Sequence, residues 1–160
     1  MAHHKIILKF FANEKALDQG LQAFMENNPR QAAPVSVDVP LLSNQNVLMN
    51  IALIKQYHEN MPIAKVEPIV FSALRKLDLE RIAYKRNPDL NNEERFYAML
   101  LRASMVQDAL VIIDRPFKII PHLQNIDYIF KALKNIEDFY LSCHIYDYEW
   151  MREKYEALSK

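Results

Sequence analysis

The stretch Ala109-Leu110-Val111-Ile112-Ile113-Asp114-Arg115-Pro116-Phe117 decides the fold of this chain. From Ala109 to Ile113 every residue is apolar, and Val111, Ile112 and Ile113 are β-branched. A run with no polar alternation is a strand buried on both faces, as in a parallel sheet covered by helices. Asp114 emerges at its carboxyl end, and Pro116, which has no N–H to donate, stops it. Ligands of α/β sheets gather beyond the carboxyl ends of the strands. An aspartate there can hold Mg²⁺ directly or through water, so Asp114 is the first candidate site residue. Its plainer role is to end the strand and pair with a neighbour. If the strand continues, Arg115 points to the opposite face, and the partner of Asp114 comes from a loop or helix.

Outward from this strand, the pattern alternates between the two periods. His4 to Phe11 reads as a buried strand, and Asn13 caps a helix over 14–27 with Ala16, Leu17, Leu21, Phe24 and Met25 at helical spacing. Pro34 to Val39 alternates, with Val35, Val37 and Val39 on one face, and the three elements together read as a βαβ unit. Ser43 or Asn44 opens a helical segment carrying Val47, Leu48, Ile51, Ile54 and Tyr57, and Pro62 starts another at its first position. Asn87-Pro88 marks a turn. Asn91 then caps a helix, Glu94 closes a capping box, and Phe96, Met99, Leu100, Ala103 and Val106 share one face. Leu123 to Ile136 reads as a helix, Phe139 to His144 as a strand, and Tyr148 to Leu158 as a closing helix. The expectation is one α/β domain over 1–160. Its mostly parallel sheet, from strands near 4–11, 34–39, 109–114 and 138–143, is flanked by helices, with a helical subdomain inserted at about 43–108.

Composition narrows the function. The 160 residues carry 20 Lys plus Arg and 20 Asp plus Glu, a net charge of zero, which removes the electrostatic case for binding nucleic acid or an anionic membrane surface. With 51% hydrophobic and 25% charged residues, the chain has the balance of a soluble globular domain. No apolar run approaches the roughly 18 residues needed to cross a bilayer, and no signal-peptide pattern is present. The lone Cys143 excludes an internal disulfide and points to a reducing compartment. Cys143-His144 cannot supply a tetrahedral metal set, so no metal site is expected there, and Cys143 reads as a buried thiol beside a strand-end histidine. His3-His4 reads as a terminal tail. Only one glycine, Gly20, is present. Phosphate-cradling loops need several, so a self-contained P-loop or dinucleotide fingerprint is excluded.

The order of capped helix, buried strand, Asp-x-Pro, helix, strand and histidine resembles the nucleotide-binding domain of ATP-binding cassette (ABC) transporters, a P-loop NTPase-like fold. Leu90-Asn91-Asn92-Glu93-Glu94 and the helix through Ala103 lie over the family signature LSGGQ and R-Q-R-V-A-x-A-R-A, with Leu90, Arg102 and Ala103 matching. Val111 to Phe117 lies over the Walker B run ending D-E-P-F, with Asp114, Pro116 and Phe117 matching, and His144 falls at the switch histidine. Pro40 to Ile51 resembles the segment after the Q-loop, and Leu79 to Ala83 the approach to the signature. The likeness covers about residues 40 to 150.

The departures from the family are chemical. There is no Walker A motif, G-x-x-x-x-G-K-S/T, and Ala12-Asn13-Glu14 stands at the first strand-to-helix turn. The signature glycines are replaced by Asn92 and Glu93, and Glu93-Glu94 would repel the phosphates of an ATP on an opposing subunit. Arg115 replaces the catalytic glutamate, and a guanidinium stays protonated and cannot act as a base. Lys118 to Pro121 replaces the D-loop, and Val37 or Asp38 stands near the Q-loop glutamine. The resemblance therefore implies a degenerate, non-catalytic ABC ATP-binding subunit with vestigial Asp114 and His144. ATP and Mg²⁺ would enter only if a partner chain completed the site. Its expected partner is a membrane transporter subunit or another ABC ATPase-like protein, at the cytoplasmic face of the membrane, in a homo- or heterodimer. The family docking cleft implies a partly exposed apolar groove near 41–60, with Leu41, Leu42, Val47 and Leu48 as candidate contacts. The alternatives are an ATPase completed by a partner's Walker A loop, and a free-standing enzyme using Asp114, His144 and Arg115.

Overall fold

The computed structural model describes residues 5–156. Four strands, β1 (Lys5–Phe11), β2 (Ala32–Val35), β3 (Leu110–Asp114) and β4 (Ser142–Tyr148), form one wholly parallel sheet in the order β1-β4-β3-β2. The register sets Ile112 beside His144 and Pro34, and Asp114 beside Tyr146.

The sheet has a different cover on each face, which accounts for the unbroken apolar character of β3. On one side lies α1 (Glu14–Asn27), whose N-cap Asn13 accepts a hydrogen bond from Ala16 N at 2.8 Å. Its Leu17 and Phe24 pack on Ile112 and Tyr146. The helix lies close to the sheet at Gly20: a Cβ there would come within 2.7 Å of the Phe11 ring, which would have to swing away. On the other side a larger core joins Val111, Ile113, Cys143 and Ile145 to the remaining helices. Between β2 and β3 the chain forms α2 (Val47–Glu59), α3 (Ile63–Lys76) and α4 (Asn92–Ser104). After β3 come the short α5 (Pro116–Ile119), α6 (Asp127–Asn135) and α7 (Glu153–Glu156).

Both helices with an unambiguous cap, α1 and α4, start where the sequence places them. Several other boundaries differ. The second strand is 32–35 rather than 34–39; the chain turns at Ser36, leaving Val37 and Val39 exposed. β1 and β2 lie on opposite edges, so β1-α1-β2 is not a pair of neighbouring strands joined by a helix. The last strand is 142–148 rather than 138–143, with Phe139 in a 3-10 turn. α2 begins at Val47 behind Asn46, which accepts from Met49 N, and Pro62 is the N-cap of α3 rather than its first residue. The helix expected over 123–136 spans Asp127–Asn135. The closing helix expected from Tyr148 is a 3-10 turn followed by α7, and its last two residues lie outside the described residues, as do His3 and His4.

Candidate functional site at the carboxyl edge of the sheet

β3 delivers Asp114 to the end of the sheet, where it is buried. The strand stops at Arg115, whose backbone is left-handed (φ 47°, ψ 69°). For a non-glycine residue that conformation costs about 1–2 kcal/mol. It swings the guanidinium back over its neighbour: Nε donates to Asp114 Oδ1 at 2.6 Å and an Nη donates to Oδ2 at 3.2 Å. Arg115 N still donates to Tyr146 O at 2.8 Å, so the ladder closes before the chain departs. Ser36, just beyond β2, donates its hydroxyl to Asp114 Oδ2 at 2.8 Å. The expected loop partner is therefore Ser36. The expectation that Arg115 faces away is corrected by its left-handed turn.

The same guanidinium ties three elements together. It donates to Tyr148 Oη at 2.9 Å on β4 and reaches Asp18 Oδ1 of α1 at 3.4 Å. The hydrogen bond to Asp114 holds its pKa above the ordinary value, against the opposing effect of burial. Asp147, buried on β4, accepts from Tyr155 Oη at 2.6 Å and from Tyr148 N at 2.8 Å; burial pushes its carboxyl above the ordinary range. Two small clefts open beside these residues. One, of about 200 Å³, is lined by Leu21, Met25, Val39 and Ile112 together with Asp114 and Ser36. The other, of about 210 Å³, lies among Arg115, Phe117, Asp147 and Trp150.

The other candidate residues lie elsewhere. His144 is mid-strand, two residues before the position level with Asp114, and not at a strand end. Its ring packs on Phe24 at 4.7 Å, its Nε2 lies 3.1 Å from Ser142 Oγ, and burial pulls its pKa down. Cys143 is fully buried, which pushes its thiol pKa up. In the signature-like stretch, Leu90 is core, and Asn91 and Glu94 form the reciprocal capping box. Asn92 accepts from Arg95, and Glu94 also lies 3.5 Å from Arg81. Glu93 lies 2.8 Å from His122 Nε2 and accepts from Tyr128 Oη at 2.9 Å; the first contact, then the second, holds its carboxyl below the ordinary range. Leu41, Val47 and Leu48 are buried, while Leu42 is 51% exposed. Three of the four expected groove contacts are therefore core, because the Asn50 side chain bonds Leu42 N and O and folds this loop onto α2.

Ser36, Asp18 and Tyr148 were not singled out by the sequence. They come from distant segments and meet only through the strand order. Among the described residues, no group of three or more His, Cys, Asp or Glu is placed to hold a metal ion.

The strands, their order and their helical cover define an α/β fold of the ABC ATPase kind. Among solved structures, cbiO1 from Clostridium perfringens, part of the ABC transporter complex cbiONQ, is similar: TM-score 0.70 and 14% identity, over 91% of this chain and 67% of that one. No family model matches the sequence, and no curated protein matches it. At this identity the likeness concerns the fold, and function has to be read from the site.

Proposed function

We propose that this protein is a degenerate, non-catalytic relative of ABC transporter ATP-binding subunits, acting through protein contacts with a transport system. The observation that carries this reading is the pairing of Asp114. The carboxylate in the Walker B-like position is held by the Arg115 guanidinium and the Ser36 hydroxyl. Arg115 cannot act as a base for water.

Mg-nucleotide does not fit the residues at this edge. The turn from β1 to α1 is Ala12-Asn13, with no glycine to let backbone amides approach a phosphate. The Ala16 amide is taken by the Asn13 side chain, and Glu14 adds negative charge to the first turn. No reaction step is therefore assigned to nucleotide.

The partner contact is drawn from exposed apolar residues of the loop after β2, namely Val37, Val39 and Leu42. They suit an apolar contact with a membrane subunit or an ABC ATPase-like protein at the cytoplasmic face. Among the described residues, no helix is long and apolar enough to cross a membrane.

Steady-state phosphate release tests the catalytic half of the proposal. The purified chain is expected to release no phosphate from Mg-ATP above background. Arg115→Glu is expected to stay equally inactive, because a carboxylate there restores a base without a phosphate cradle. Turnover by either protein contradicts the reading.

A further inference from the structure

The cleft among Arg115, Phe117, Asp147 and Trp150 opens at the carboxyl ends of β3 and β4, where ligands of α/β sheets gather. Its wall is aromatic: Tyr148 and Trp150 stack with ring centroids 4.1 Å apart and planes at 14°, and Phe117 and Met151 also line it. Trp150 is 64% exposed, an unusual position for so large an apolar surface. The donor in the cleft is the Arg115 guanidinium, on a residue only 5% exposed. A guanidinium carries five N–H groups. That of Nε goes to Asp114 Oδ1, the two of Nη2 go to Asp114 Oδ2 and Asp18 Oδ1, and one of Nη1 goes to Tyr148 Oη. The second N–H of Nη1, beside Tyr148, has no acceptor among the described residues. A buried donor without an acceptor is costly, and an acceptor brought by a ligand relieves that cost.

We propose that this cleft binds a small, flat, uncharged aromatic ring that carries a carbonyl group. The ring packs on the wall made by Trp150 and Tyr148, and the carbonyl oxygen accepts the remaining N–H of Arg115. The volume of about 210 Å³ suits a single ring with one short substituent and is below that of a site for a larger ligand. Charge selects an uncharged acceptor. Asp114 and Asp18 already face the guanidinium, so it has a hydrogen bond left to offer and no unmatched charge. Asp147 lines the same cleft, with its oxygens taken by Tyr148 N and Tyr155 Oη, and a carboxylate ligand would be set beside it. Lys118, also on the lining, is exposed and solvated, so it offsets that repulsion only weakly. The proposal is independent of the catalytic reading, since it involves neither phosphate nor Mg²⁺.

Nitrogen–proton correlation spectra of the full chain, titrated with small probes, test it. Trp150 is the only tryptophan, so its indole N–H gives a single side-chain signal from the wall of the cleft. Benzamide is expected to shift that signal saturably, with millimolar affinity. Aniline keeps the ring and an amino group but has no carbonyl. It is expected to bind about tenfold more weakly, the loss of one hydrogen bond from a charged donor. Benzoate, with a carboxylate in place of the amide, is expected to bind no more tightly than benzamide. Trp150→Ala, followed through the backbone signals of Phe117 and Tyr148, is expected to keep a melting temperature close to that of the parent and to lose benzamide binding. If that variant fails to fold, the comparison of the three probes on the parent decides. The proposal is overturned if benzamide gives no saturable shift, if aniline binds as tightly as benzamide, or if folded Trp150→Ala binds benzamide unchanged. Tighter binding of benzoate would also overturn it and make the cleft an anion site instead.

Discussion

At the residue scale, Arg115 and Asp114 depend on each other unequally. Without the guanidinium, the Asp114 carboxylate keeps only the Ser36 hydroxyl as a described side-chain partner in a buried position. Removing one partner of a buried ion pair costs about 3–5 kcal/mol, so Arg115→Leu is expected to destabilise the protein by about 3 kcal/mol. Asp114→Ala should cost less, because Arg115 retains Tyr148 and the half-exposed Asp18. Urea unfolding of the two variants checks both the size and the order. His144 gives a pH effect. Burial beside Phe24 holds its imidazole pKa below the ordinary 6.5, so the unfolded chain takes up that proton more readily. Its contribution to stability is therefore constant above that pH and lost as pH falls through 6.5 and below. Urea midpoints at about pH 7.5 and about pH 5.5, on either side of the ordinary imidazole value, should separate more in the parent than in His144→Gln. Equal losses in the two proteins would remove His144 as the cause.

At the element scale, the helices with local signals were legible and the strand ends were not. Asn13 and the Asn91–Glu94 pair announce α1 and α4 because capping is settled within four residues of chain. The capping box predicts that Asn91→Ala lowers stability by about 1 kcal/mol, read as a shift in the urea midpoint with unchanged slope. The extent of the last strand, Ser142–Tyr148, is not legible because it contains Asp147. An acid argues for a loop until Tyr155 and the Tyr148 amide are known to satisfy it inside the sheet. The end of the second strand at Val35 is not legible either, because alternation continues through Val37 and Val39. The turn at Ser36 serves Asp114, 78 residues away, and no local pattern reports that.

At the scale of the whole molecule, the unbroken run at 109–113 made the parallel α/β class legible, and the order of features pointed to the ABC ATPase-like fold. The site itself was half legible. Asp114 and Arg115 could be singled out by position, but not the left-handed turn that closes one onto the other, nor the strand order that brings Ser36, Asp18 and Tyr148 around them. That closure is the basis of the central claim, that this α/β scaffold carries no working nucleotide site. Isothermal titration of the isolated chain with Mg-ATP tests it most directly. The expected result is no saturable heat; a saturable isotherm with micromolar affinity would contradict the account.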